Sequence, residues 1–146
     1  AGEDSLRFSP DGKWVRFVSN ASGRNELYVQ PYTGTRAGAE DARSGRRQIS
    51  TNGANGSGWW SPDGREIRYV DNDSQIMSVE IQTEPTFSAS LPKVLTSFKE
   101  FNIRDFTFAP DGRLMVVLEG ENERPSRIDL VVNFVEEIRA RVAKAE

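Results

Sequence analysis

The sequence predicts an all-β chain built from three repeats. Three observations carry this. Phe8-Ser9-Pro10-Asp11-Gly12-Lys13 returns as Trp60-Ser61-Pro62-Asp63-Gly64-Arg65 and again as Phe108-Ala109-Pro110-Asp111-Gly112-Arg113. Pro10 and Pro62 stand 52 residues apart and Pro62 and Pro110 stand 48 apart, a period that points to a repeat architecture. Each motif is followed by a run of β-branched and aromatic residues: Trp14 to Val18, Ile67 to Val70, and Leu114 to Leu118.

The motif reads as a hairpin turn. Pro presets φ for the first corner, and Asp at the second corner accepts local backbone N–H groups. Gly supplies the left-handed residue that closes a three-residue loop with a bulge. Pro10, Asp11, Gly12, Pro62, Asp63, Gly64, Pro110, Asp111 and Gly112 are therefore structural.

In repeat one a short strand around Leu6 to Phe8 precedes the turn, and the chain runs back through Trp14 to Val18. Ser19 to Asn25 is a polar loop and Glu26 to Gln30 a third strand. Thr33 to Gly45, rich in Gly, Ala and charge, reads as a solvated excursion. Arg46 to Ser50 is a short fourth strand suited to a sheet edge. Repeat two follows the same order: Gly58-Trp59-Trp60, the turn, Glu66 to Val70, a tight hairpin at Asp71 to Ser74, and Gln75 to Ile81 with half-buried alternation. A loop with Pro85 and Pro92 leads to the fourth strand, Lys93 to Thr96. Repeat three has Ile103 to Phe108, Leu114 to Leu118 and Arg127 to Val132. It then changes character. Asn133 can cap a helix in which Phe134, Val135, Ile138 and Val142 form an apolar stripe. That stripe packs under its own blade or docks on a partner.

Four short antiparallel strands per repeat of about fifty residues is the pattern of a β-propeller blade. The expected organisation is one partial propeller over 1–146: blade one at 5–50, blade two at 57–97, blade three at 103–132 and a C-terminal helix at 133–145. Three four-stranded blades make half of a six-bladed ring. The two outermost faces would be bare and apolar, which monomers seldom tolerate. A homodimer with two head-to-tail junctions closes such a ring. The alternative is a fragment whose other blades lie elsewhere in a longer chain; the absence of an initiator Met suggests a processed or excised piece.

The motif, together with Phe17-Val18-Ser19-Asn20, Gly23-Arg24-Asn25-Glu26-Leu27-Tyr28-Val29 and Gln48-Ile49-Ser50, resembles a TolB-type propeller repeat over nearly the whole chain. The ending Ile128-Asp129-Leu130-Val131-Val132-Asn133-Phe134-Val135-Glu136-Glu137-Ile138 is similar to the end of the propeller domains that follow the kinase domain in bacterial eukaryote-like serine/threonine protein kinases. The resemblance implies a sensor or scaffold propeller at the C-terminus of a larger signalling protein, on the extracytoplasmic side. The usual ring has six or more blades in one chain, against three here.

Composition excludes several functions. Net charge is −3, with 19 basic against 22 acidic residues, which offers no electrostatic case for nucleic acid or an anionic membrane surface. No apolar run approaches twenty residues, so no membrane span is expected, and the first residues carry no targeting leader. Cysteine is absent, which removes disulfides and thiol chemistry. Histidine is absent too, and with it the commonest general base and metal ligand, so a Ser-His-Asp triad is impossible. Asp105-Phe106-Thr107 lacks the Gly of a kinase metal-binding motif, and neither a Gly-rich phosphate loop nor a His-Arg-Asp catalytic loop is present. Asp71-Asn72-Asp73 lacks the oxygen spacing of an EF-hand and reads as a turn. The Asn-x-Ser triplets at Asn20, Asn55 and Asn72 fall in turns where Asn is favoured anyway. No metal or cofactor is expected.

If the chain binds something, propeller geometry places the site on the loops before each innermost strand. The candidates are Asn52, Asn55, Ser57, Trp59, Asn102, Arg104 and Asp105, with solvated loop residues as the competing reading. Trp60 is expected in the core, like Phe8 and Phe108. The favoured function is a non-catalytic module for protein–protein interaction or ligand sensing, with a protein or peptide as possible ligand. The alternative is a propeller enzyme of hydrolase or lyase type using channel-mouth carboxylates, and a third reading is an inert fragment whose blades pair with those of a neighbour.

Overall fold

The computed structural model describes residues 3–34, 45–55, 58–99, 103–118 and 131–132. Its described elements are all strands, in three antiparallel sheets. Sheet one runs β1 (Glu3–Phe8), β2 (Trp14–Ser19), β3 (Glu26–Pro31), β4 (Arg47–Gln48) in sequential order. Sheet two runs β5 (Gly58–Trp60), β6 (Glu66–Val70), β7 (Gln75–Gln82). The long β7 then pairs at one end with β8 (Ser88–Ala89) and along its other half with β9 (Lys93–Ser97). Sheet three is β10 (Ile103–Phe108), β11 (Leu114–Leu118), β12 (Val131–Val132). The extra strand β8 was not expected: Ser88 and Ala89 sit in the Pro-flanked loop, where no alternating run announces a strand. β4 is shorter than the expected Arg46 to Ser50. The expected helix at 133–145 lies outside the described residues.

The Pro-Asp-Gly turns close as their chemistry dictates. Gly12 N–H donates to Ser9 O at 2.9 Å, Gly64 to Ser61 O at 2.9 Å and Gly112 to Ala109 O at 2.8 Å. Gly12, Gly64 and Gly112 take φ of 72°, 70° and 83°, where any side chain would be strained. A second lock was not read from the sequence. Ser9 Oγ donates to Asp11 Oδ1 at 2.5 Å and accepts the Trp14 N–H at 3.0 Å. Ser61 Oγ does the same with Asp63 at 2.6 Å and Glu66 N–H at 2.9 Å. Ala109 has no hydroxyl, and Asp111 instead accepts Arg113 Nε at 2.7 Å.

The third hairpin is also one residue shorter than the other two. Phe8 pairs with Val15 and Trp60 with Ile67, but Phe108 pairs with Leu114. Because side chains alternate between faces, one missing residue re-phases the returning strand. Counted from the turn, Val116 would match Arg16 and Arg68. Counted by cross-strand pairs, Met115 takes that place, since Arg7 pairs with Arg16, Trp59 with Arg68 and Thr107 with Met115. Leu114 and Val116 thereby turn into the core.

The sheets stack face to face. Val18, Leu27, Val29 and Ile49 of the first repeat pack against Ile67, Tyr69, Met77, Val79 and Ile81 of the second, with Trp60 and Phe87 at the margin. Val70, Ile76 and Phe98 pack against Leu114 and Val116, with Ile103, Phe106 and Phe108 alongside. Each aromatic that precedes a turn faces the sheet before its own. Trp60 packs toward sheet one and Phe108 against Trp59 of sheet two, with ring centroids 5.4 Å apart. Phe8 has no preceding sheet among the described residues. It is 49% exposed and meets Tyr32 edge-on at 4.9 Å, so the expectation of a core aromatic holds for its two counterparts and not for Phe8.

Candidate functional site

The first strands β1, β5 and β10 are edge strands of their sheets, and residues on or beside all three line one cleft of about 490 Å³. Its walls are flat and apolar where Trp59, Trp60, Pro62 and Phe108 contribute. Its charge comes from Arg7, Arg16 and Arg68, and no Asp or Glu is among the described residues that line it.

Register places these arginines. Arg7 and Arg16 are cross-strand partners on β1 and β2, so they share one face, the face turned toward sheet two. Arg16 is 4% exposed. Burial, and then the charge of Arg7, lower its pKa to about 10, which leaves it protonated at neutral pH. Arg68 is the counterpart of Arg16 one sheet along and has a structural task. Its Nη1 donates to Gly112 O at 2.8 Å and its guanidinium lies 4.8 Å above the Phe108 ring. Its Nε and Nη2 hold the two oxygens of Glu66 at 3.0 and 2.8 Å. Burial works to raise the Glu66 carboxyl, but hydrogen bonds from Arg68 and from Ser78 outweigh it and hold the group below its ordinary value. Arg68 thus fastens the turn of sheet three onto sheet two.

The candidate residues divide. Asn52 is exposed and donates Nδ2 to Asp71 Oδ2 at 3.2 Å and Asp73 Oδ2 at 2.9 Å, so it fastens the loop between sheets to the β6–β7 turn. Asn55 is exposed, and its N–H donates to Val70 O at 2.8 Å. Asp105 is exposed on β10 and accepts the Phe106 N–H at 2.8 Å. Arg104 lies on β10. Trp59 lines the cleft, within an aromatic group that includes Phe106 at 4.9 Å. Ser57 and Asn102 lie outside the described residues. The sequence reasoning missed Arg7, Arg16 and Arg68. A signal was present: Val15-Arg16-Phe17-Val18 and Ile67-Arg68-Tyr69-Val70 each set an arginine at the same place inside an apolar strand.

Near Asn52 a second polar group is closed on itself. Glu26 is 1% exposed and accepts from Ser50 Oγ, from Arg24 Nε and from the Gly53 N–H at 3.1 Å. Gly53 is required there: its φ is 75°, and a Cβ would stand 2.3 Å from Asn72 Nδ2. Asp71 Oδ1 accepts the Asp73 and Gln75 N–H groups, both at 2.9 Å, as a turn rather than a cation loop. No group of three or more potential metal ligands occurs among the described residues. A larger cleft of about 1040 Å³ lies at the turn ends of sheets one and two. It is crossed by the exposed pair Lys13–Glu84 at 2.8 Å, and its lining also carries Asp11, Asp63, Arg65 and Glu80.

Compared with protein-family models and with curated proteins, the chain finds no match. Among solved structures it is similar to an oligogalacturonate lyase from Vibrio parahaemolyticus, at 19% identity and a TM-score of 0.54, over 82% of this chain and 30% of that one. It is similar to an oligogalacturonate lyase in complex with manganese, at 16% identity and a TM-score of 0.54, over 80% of this chain and 29% of that one. The tricorn protease matches at 16% identity and a TM-score of 0.51, over 87% of this chain and 11% of the protease. The chain therefore spans about three tenths of the length of either lyase. At these identities the likeness shows the fold alone, and that fold is propeller-like.

Proposed function

We propose that this chain is a non-catalytic propeller module that binds a ligand or protein along the first-strand edges of its sheets. The observation that carries this is the cleft lined from all three sheets, with arginines and aromatic rings and no described carboxylate. The carboxylates with lowered pKa are engaged in structure, Glu66 by Arg68 and Ser78. Asp11 and Asp63 are held down first by the serine hydroxyls Ser9 and Ser61, and Asp111 by Arg113, all three within turns. General acid–base work at neutral pH calls for a carboxyl raised toward 7, not lowered. This argues against the enzyme reading, in which such carboxylates would do the chemistry.

In the same reading the six-bladed ring is completed by a second copy. Leu6, Phe8 and Tyr32 are 52, 49 and 51% exposed at the outer side of sheet one, where a preceding blade would sit. The resemblance of the C-terminal stretch makes the module the end of a larger signalling protein. Light scattering of the chain across a dilution series tests the assembly. A stable species of twice the chain mass supports the ring, and a folded monomer at all concentrations overturns it. Asp63→Asn and Asp111→Asn test the enzyme reading: both should lower stability, and loss of a turnover with folding intact would favour catalysis instead.

A further inference from the structure

We propose that Arg46 guards the face of sheet one that a second copy occupies when the ring closes, so that its guanidinium and the incoming sheet compete for Phe17 and Tyr28. This rests on the ring reading above and adds its regulation.

Register identifies the face. Phe8 pairs with Val15, Trp60 with Ile67 and Phe108 with Leu114, so Val15, Ile67 and Leu114 hold equivalent positions. Phe17, Tyr69 and Val116 follow as the next equivalent set on the same face. Tyr28, opposite Phe17, is the counterpart of Met77, opposite Tyr69. Ile67, Tyr69 and Met77 pack on sheet one, and Leu114 and Val116 pack on sheet two. Val15, Phe17 and Tyr28 alternate with Val18 and Leu27, which face sheet two, so they face the opposite way. They are thus the positions that receive a preceding sheet, and the sheet that fits is one of the same repeat, supplied by a second copy.

No sheet lies there among the described residues, but Val15, Phe17 and Tyr28 are only 4, 4 and 7% exposed. Arg46 is part of their cover. Its Cζ stands 4.5 Å from the Phe17 ring centroid and 4.7 Å from that of Tyr28, and the two rings are stacked at 5.9 Å. Packed sheets interdigitate their side chains across a gap of about 10 Å. A guanidinium at that height fills the space that the side chains of an incoming sheet need. Gly45 sets the arginine there. Its φ is 78°, and a Cβ would stand 3.0 Å from Pro31 Cδ at the end of β3, so a bare glycine lets the chain pass that close. A cation–π contact is strong enough to hold the face and weak enough to yield to a packed sheet.

The test is sedimentation of the full chain across a dilution series, with Arg46→Gln and Arg46→Lys beside it. Releasing the guard should tighten association about tenfold for each face, and a ring with two junctions opens two faces. Arg46→Gln should therefore lower the dimer Kd by about a hundredfold, and Arg46→Lys, which keeps the cation, by much less. Gly45→Ala leaves the arginine in the chain but pushes it off Pro31, and should tighten association in the same direction. In ¹H–¹⁵N spectra the Arg46 Nε–H should be ring-shifted in the monomer and lose that shift in the dimer. Arg46→Gln associating no more tightly than the parent, or a ring-shifted Arg46 Nε–H that persists in the dimer, would overturn the proposal. The two readings fail differently. Dimers of equal strength keep the ring and lose the guard, whereas monomers throughout, in parent and variants alike, lose the ring and the guard with it.

Discussion

Replacing Glu26 by Ala should destabilise the chain more than any surface change. Glu26 lies on β3, and its carboxylate collects a hydroxyl and a backbone N–H from the segment that hands the chain to sheet two. Ser50 is itself 1% exposed, and Glu26 is equally buried. Removing the carboxylate leaves the Ser50 hydroxyl and the Gly53 N–H without an acceptor in the interior, each worth about 1–3 kcal/mol. The Arg24 pair adds little, because that arginine is 53% exposed and solvent screens it. The expected cost is about 3 kcal/mol, the sum of two modest penalties. With a urea m-value of about 2 kcal/mol/M the midpoint falls by about 1.5 M. Equilibrium urea unfolding followed by tryptophan fluorescence measures it, and amide exchange at Gly53 reports the loop directly. Ser50→Ala in both backgrounds completes a double-mutant cycle, which should show coupling above about 1 kcal/mol. A midpoint unchanged in Glu26→Ala, or Gly53 exchange as slow as in the parent, would refute the reasoning.

Arg68→Leu should cost about 2 kcal/mol, since it removes the Gly112 bond and the Phe108 contact and strands Glu66. Hydrogen exchange should then quicken in β10 and β11 and stay unchanged in β2 and β3; uniform quickening would show that the clamp is not local. Acid should weaken the fold in a defined window. Asp11, Asp63 and Asp111 all have folded pKa values below their ordinary 3.8, so the stability they contribute is present above that value and drains as pH falls through the lower folded values. In Ser61→Ala the Asp63 carboxyl should titrate at higher pH by NMR while Asp111, which leans on Arg113, does not move.

Much of the fold was legible in the chain. The Pro-Asp-Gly turns are local chemistry, and a turn of that kind needs nothing distant to form. The β-branched and aromatic runs at 14–18 and 67–70 and the alternating run at 75–81 carried their strands for the same reason. Strand β8 was not legible, because Ser88 and Ala89 become a strand only by pairing with the overlong end of β7. Of the candidates picked from the loops, Trp59 stands on the cleft wall, and its place beside the turn motif made it legible. Asn52 was chosen for its place in a loop, and its amide turned out to be consumed by Asp71 and Asp73, which are distant in sequence.

The sequence by itself determined the three-fold repeat, the hairpins and the all-β class, because each depends on residues a few positions apart. The tertiary structure alone decided which faces those strands present. The missing residue after Gly112 shifts pairing by one and turns Leu114 and Val116 inward, a consequence visible only once Phe108 is paired with Leu114. It decided likewise that Arg7 and Arg16 stand together beside Trp60 while Arg68 is spent on Gly112. Cross-strand neighbours and stacked sheets bring together side chains that no local pattern relates, and binding chemistry is made of such meetings.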